Sequence, residues 1–416
     1  MHIRPFALMI ALGAFFVSQS AFTGDWPEFR GPTGQGHAPE ANPPLEWGPD
    51  RNIAWRTPLP GSGWSSPVLQ NGVIYLTTAL LDDQEQPTSL RAIALSAEDG
   101  ALRWDVEVFP VSGRAPKHPK NSFASPTPIV AGDRVFVHYG PLGTSCLDLE
   151  GQAVWRQSEL SYKTPHGNGG SPALHDGSLI ISADDAGAPF IVALDVQTGG
   201  IAWKTSRETE AANKFSFSTP LILQEPNRAL AVSAGSGMAA AYDTATGQEI
   251  WRVRYGDGFS VVPRPVFAHG LVYVTTGFAR PCEVIAVRTG GQGDVTDSHI
   301  AWRLGEGAPH TPSMIVSGEA LYFLSDKGEL SRVDARTGEL HWRERLDGNY
   351  SASLVLAAGR LYATSEDGVT TVLEDGPAFR ALARNDLGER TFASIAPSGD
   401  AIFLRTEEAL YRIENR

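Results

Sequence analysis

Cysteine is nearly missing from this chain. Its 416 residues contain two, Cys146 and Cys282, too few for a disulfide scaffold or a cysteine-rich zinc module. Charge is sparse too. Asp, Glu, Lys and Arg make up 19% of the residues, and 47 acids against 34 Lys and Arg leave a formal net charge of −13. An acidic excess of this size excludes a broad nucleic-acid-binding surface. Beyond residue 17 no apolar run reaches the ~18 residues a membrane helix needs. No P-loop, HExxH or ordered Ser-His-Asp set is present, so the common local signatures of phosphate, zinc and acyl-transfer chemistry are missing.

Glycine, proline and tryptophan are abundant: 43, 29 and 10 residues. Gly and Pro both exceed their average shares of about 7% and 5%. A chain rich in turn formers and aromatics but poor in charge reads as many short strands. The first 23 residues stand apart. His2 and Arg4 precede an apolar run from Pro5 to Val17, followed by small and polar residues from Ser18 to Ala21. That is the pattern of a secretory signal peptide, with cleavage expected between Ser20 and Gly24. No cysteine lies at the junction, so the expected product is periplasmic or extracellular, not lipidated, and without a membrane span after cleavage.

A repeat decides the fold. ALSAEDGALRW (Ala94–Trp104) recurs as CLDLEGQAVW from Cys146, ALDVQTGGIAW from Ala193, AYDTATGQEIW from Ala241 and VDARTGELHW from Val333, with a looser copy from Ala286 to Trp302. The Trp residues fall at 55, 104, 155, 203, 251, 302 and 342. Ahead of most units stands a Ser/Thr-Pro step, then an apolar stretch, a Gly turn and an alternating strand. SSPVLQNGVIYLTTA from Ser65 and STPLILQEPNRALAVSAG from Ser218 are examples, and eight such marks occur in all. Each unit therefore carries about four strands in about 49 residues, the signature of a β-propeller blade. Blades cannot bury both faces alone, so they stack around an axis. The expected fold is an all-β, eight-bladed propeller over 52–416, after an N-terminal extension at 24–51. The last unit ends without a fourth strand. NIAWRT at Asn52–Thr57 matches the outer strands GIAWKT and HIAWRL, so Ile53, Ala54 and Trp55 should close the ring. The seventh unit lacks the Trp and has Phe379 near its place. Periodic Trp residues of this kind are expected to pack blade on blade. Cys146 and Cys282 fall in strand C of blades two and five, about 135° apart, beyond the ~7 Å a disulfide allows; both are expected to be free, buried thiols.

The Ala-Leu-Asp-x-x-Thr-Gly-x-x-x-Trp unit resembles the pyrroloquinoline quinone (PQQ) repeat. That repeat occurs in quinoprotein alcohol dehydrogenases and in the propeller lipoprotein of the outer-membrane β-barrel assembly machinery. DWPEFRGPTG from Asp25 and GWSSP from Gly63 resemble exported PQQ-like propellers. The resemblance covers about 25–416 and implies the fold more strongly than the activity. For the enzyme branch it implies a vicinal Cys-Cys disulfide, a calcium ion held by Glu, Asn and Asp, and a nearby Asp base. This chain has no adjacent cysteines, and that ligand set does not map onto it residue by residue. For the lipoprotein branch it implies a lipid-bearing cysteine, also missing here.

Propeller ligands commonly meet the channel mouth, at the loops leading into the innermost strands. Those lead-ins bring Trp64, Lys120, Asn121, His166, Asn168, Lys214, Arg264, His310, Asn349 and Tyr350 towards one axis. A basic and aromatic cluster with hydroxyls suits sugars, carboxylates or an extended peptide. The same residue types also cap turns and satisfy backbone groups in any propeller. The paired carboxylates Asp82-Asp83 and Asp184-Asp185 read as solvated turns. The sequence therefore points to an exported, non-catalytic binding or scaffold propeller with a protein, peptide or glycan partner, no nucleic acid and no cofactor. A PQQ- and calcium-dependent oxidoreductase acting on alcohol or sugar is the first alternative. A cofactor-free polysaccharide-active propeller is the second.

Overall fold

The computed structural model describes residues 24–278 and 281–416; the expected signal peptide lies outside them. Eight antiparallel sheets follow one another around an axis. In blade one the strands run Val68–Gln70, Val73–Leu81, Pro87–Ser96 and Leu102–Pro110, called A to D from the axis outward. Blades two to seven repeat the order. Blade eight takes A to C from Ala396–Ser398, Ala401–Arg405 and Ala409–Glu414, and its outer strand from Ile53–Pro58. The closing register pairs Ile53 with Ile413 and Pro58 with Ala409. The ring thus ends as the sequence expects, with no free seam between first and last blades.

The repeat has a local chemical cause. In Asp-x-x-Thr-Gly, the Asp195 carboxylate accepts from the backbone N–H of Gln197 and Thr198 and from the Thr198 hydroxyl. Those hydrogen bonds hold its pKa below the usual carboxylate value. Gly199 then takes φ +72°, and a Cβ there would lie 2.5 Å from the Trp155 ring of the preceding blade. Both the turn and the packing demand glycine. Just before each repeated Trp the C–D register slips by one residue, as between Ala94–Trp104 and Leu95–Leu102. Such a bulge re-aims the following side chain. The indoles then donate across to the next blade: Trp104 to the Leu149 carbonyl (2.8 Å), Trp155 to Val196 (2.8 Å) and Trp203 to Thr244 (2.9 Å). The hydrophobic core is accordingly distributed between blades.

Three sequence expectations change here. Phe379 does not stand at the missing Trp position; Ala383 does, paired with Val372 at the same bulge. Trp47 from the extension fills the gap, stacked on Tyr362 at 6.4 Å and 4% exposed. Cys282 precedes strand C of blade five, Val284–Arg288, and is half-buried. Cys146 is buried, and desolvation pushes its thiol up to about 12. Asp184 and Asp185 are not solvated. Asp184 pairs with Arg207 at 2.8 Å with both side chains 1% exposed, and Asp185 accepts from the Lys163 N–H.

Residues 24–48 cross the channel at the end where strands A finish. Trp26 exchanges backbone hydrogen bonds with Leu69 of blade one, and Pro27 accepts from Val130 of blade two. His37–Ala38 pairs in parallel with Leu356–Ala357 of blade seven, and Asn42 donates to Gly399 of blade eight. The segment therefore closes one end. Among the described residues no helix is long and apolar enough to cross a membrane.

Candidate functional site

The open end leads into a cavity of about 400 Å³ whose wall includes Phe29 from the extension, so the channel is blind. Its wall is built on the Ser/Thr-Pro mark of the repeat. At that position stand Ser66, Thr127, Ser171, Thr219, Arg264, Ser313, Ser353 and Ser394, one per blade. Each hydroxyl accepts the backbone N–H of the corresponding residue one blade earlier. Ser66 donates to Thr127, Thr127 to Ser171 and Ser171 to Thr219, at 2.9–3.0 Å. Arg264 donates to Ser313, Ser313 to Ser353, Ser353 to Ser394 and Ser394 to Ser66, at 2.9–3.1 Å. The ring is interrupted only between blades four and five, where Arg264 replaces the hydroxyl. There the Arg264 Nε donates to the Pro220 carbonyl (3.1 Å). All seven hydroxyl residues line the cavity.

Above this ring the rim is aromatic. His118 and His166 meet edge to face at 5.4 Å, and His166 meets Phe215 at 4.9 Å. Phe215 contacts Phe259 (5.6 Å), Phe259 contacts Phe278 (6.2 Å), and Phe278 stacks on His310 (4.4 Å). Phe278 is 49% exposed. Across the mouth Trp64 packs on Phe392 at 4.7 Å, with the Lys120 ammonium over the same ring.

Of the sequence candidates, the structure brings Trp64, Lys120, Asn121 and His166 to the cavity wall. His310 joins the rim through Phe278. Asp326, 3.7 Å from its ring nitrogen, and the nearby Cys282 thiol raise its pKa to about 10. Asn121 is engaged with the His166 carbonyl and the Ser125 hydroxyl, and Lys120 with Glu366 at 2.6 Å. Five candidates stand elsewhere. Asn168 is buried on the Gly170 carbonyl and borders a neighbouring cleft. Tyr350 is 1% exposed, its hydroxyl donating to the Asp347 carbonyl. Asn349 is exposed and accepts from Lys327. Lys214 is half-buried beside Phe215 and does not line the cavity. Arg264 points to the closed end, where Nη1 meets Glu28 at 3.0 Å and the Phe29 carbonyl at 2.6 Å. Sequence reasoning missed the hydroxyl ring as a site, although its Ser/Thr-Pro mark was visible. It also missed Phe278 and Phe392, which carry no local signal.

The family model for the outer membrane protein assembly factor BamB matches residues 48–289 and 293–411. The chain belongs to that family. It is 26% identical over 199 residues to the outer membrane protein assembly factor BamB of Yersinia pestis, covering 45% of each chain. It is 25% identical over 285 residues to polyvinylalcohol dehydrogenase of a Sphingopyxis species, covering 56% of this chain and 42% of that one. The chain thus spans less than half the length of these curated relatives. A europium-containing methanol dehydrogenase has a similar structure (TM-score 0.64, 11% identity, 94% and 89% covered). So does BamB from Moraxella catarrhalis (TM-score 0.55, 14% identity, 88% and 95% covered). At those identities the likeness is one of fold, the quinoprotein-type eight-bladed propeller.

Among the described residues no three His, Cys, Asp or Glu side chains gather as a metal cluster. Asp326 is the carboxylate of the cavity wall, and it accepts from the His310 and Thr311 N–H groups and the Thr311 hydroxyl.

Proposed function

We propose that the protein is an exported binding or scaffold propeller that takes its ligand or partner at the open channel mouth. The observation that carries this reading is the rim. Six rings, from His118 to His310, form a continuous chain of ring contacts at the mouth of a blind, hydroxyl-lined cavity, and two of them, His118 and Phe278, are exposed. Exposed rings over buried donors suit a peptide or glycan laid across the mouth. Membership of a family named for an assembly factor favours a protein partner. A blade edge is a second docking mode, because blade four already accepts Gly293–Asp294 in parallel beside Trp251–Arg252.

The test is a titration of the mature protein with PQQ plus Ca²⁺, by calorimetry and quinone absorbance. Peptide and glycan arrays probed with wild type and with a His166→Ala, Phe278→Ala variant accompany it. The expected result is no saturable quinone binding, and array signal lost in the variant at an unchanged Tm. One-to-one quinone binding at micromolar affinity would replace this reading with the oxidoreductase one.

A further inference from the structure

We infer that the inner end of the cavity binds an acidic small molecule through the hydroxyl ring, its carboxylate or phosphate oxygens accepting from Ser and Thr protons. This rests on the reading of the mouth as a binding site and names the chemistry of its floor.

The first argument is donor accounting. A hydroxyl offers one proton and two acceptor lone pairs. Each of the seven ring hydroxyls already accepts a backbone N–H from the neighbouring blade. None of them donates to a protein group among the described residues. All are buried, 2–5% exposed, and all line the cavity. The fold therefore fixes seven oxygens in a ring by their lone pairs and leaves their protons to the channel. Each oxygen keeps one further lone pair, so the ring can accept as well as donate, and the charge around it decides which ligand it favours.

The second argument is charge. Arg405 is 1% exposed and binds the Ser65 hydroxyl and the Thr77 carbonyl, each at 2.7 Å, one residue from ring member Ser66. Arg30 is 1% exposed and binds the carbonyl of Met314, next to ring member Ser313. Among the described residues neither meets a carboxylate. Arg264 shares Glu28. Elsewhere the buried Arg207 has its own acid, Asp184. Around the ring, then, three buried guanidinium groups face two carboxylates, Glu28 and the cavity-wall Asp326, in a chain whose net charge is −13. In a low-dielectric wall that excess focuses a positive potential into the cavity. A neutral polyol would gain the hydrogen bonds but not the field. The cavity, about 400 Å³, has the volume of a small-molecule pocket rather than a polymer groove.

The experiment is calorimetry and thermal shift with citrate, inorganic phosphate and sorbitol at low ionic strength. Citrate should bind saturably and more tightly than phosphate, sorbitol should not bind, and added salt should weaken the binding. Thr219→Asp keeps an oxygen for the Ser171 N–H but adds a like charge to the ligand's. It should raise the Kd for citrate at least about tenfold, as loss of a charge-assisted donor does. If Thr219→Asp does not fold, Ser353→Asp, across the ring, replaces it. No heat at millimolar citrate and phosphate, sorbitol binding as tight as citrate, or a folded Asp variant with unaltered affinity would each overturn the inference. Rim binding of a peptide or glycan without citrate binding would overturn the floor assignment alone. Failure of both would overturn the mouth reading as well.

Discussion

The two ends of the channel are made from the same blades by opposite means. The closed end is main chain. Residues 24–48 trade backbone hydrogen bonds with blades one, two, seven and eight, and bury Trp26, Arg30 and Arg264 to 2% exposure or less. The open end is side chain. Its rim is a set of rings from successive lead-ins and turns that touch one another, with Phe278 half in solvent. The difference shows where stability is held and where it is not. A buried guanidinium with one acid is part of the fold, whereas an exposed ring stacked on another adds little to folding and remains available to a partner.

The comparison breaks most sharply at Arg264. Arg264→Leu strands Glu28, a carboxylate whose pKa burial already raises. Breaking one side of a buried pair costs about 3–5 kcal/mol, read as a fall in the urea midpoint. Glu28→Gln in that background should restore part of it. If the double-mutant cycle gives a coupling under about 1 kcal/mol, the pair does not hold the closed end.

Trp47→Ala should come next. Trp47 fills the position that Ala383 leaves small, and loss of a buried Trp costs about 3 kcal/mol. Trp104→Ala, at a regular blade position, should cost a similar amount. A much smaller value for Trp47 would show that the extension covers blade seven without packing it.

At the open end the handle is pH. Asp326, 3.7 Å from the ring, and the nearby Cys282 thiol raise the His310 pKa to about 10. A folded-state pKa above the unfolded value favours the protonated state. The contribution is therefore fully present below about 6.5 and is lost as pH rises from there through about 10. His310→Asn should flatten that alkaline slope of thermal stability. An unchanged slope would place the titration elsewhere. Since His310 stacks on Phe278, mouth binding should weaken over the same pH interval.

How much of this was legible follows from the range of the interactions. The blade unit was, because Asp195, Thr198 and Gly199 make their turn within five residues and Trp203 completes the repeat. Closure was, because Ile53–Thr57 repeats an outer strand already seen twice. The directions of side chains were not. Arg264 occupies a hydroxyl's place in the repeat, and only Glu28, 236 residues away, shows which way it turns. Trp47 meets blade seven through contacts such as its N–H to Asn385, 338 residues distant. Asp184 seemed a solvated turn until Arg207 arrived from the next outer strand's end.

The smallest stability change belongs to Phe278→Ala, and it is the most informative at the mouth. The ring is 49% exposed, and its contacts are other rim rings, Phe259 at 6.2 Å and His310 at 4.4 Å. Removing it should lower stability by about 1 kcal/mol or less. Phe215→Ala, 7% exposed and touching His166, Phe217 and Phe259, should cost about 3 kcal/mol. Phe278 is nevertheless the ring that joins the His166 side of the crescent to His310. If the rim is a continuous platform, its removal splits the platform while the blades stay intact. Partner binding should then fall by more than the change in Tm accounts for. A loss of binding that merely tracks Tm across Phe215→Ala and Phe278→Ala would make the open end, like the closed one, a matter of packing.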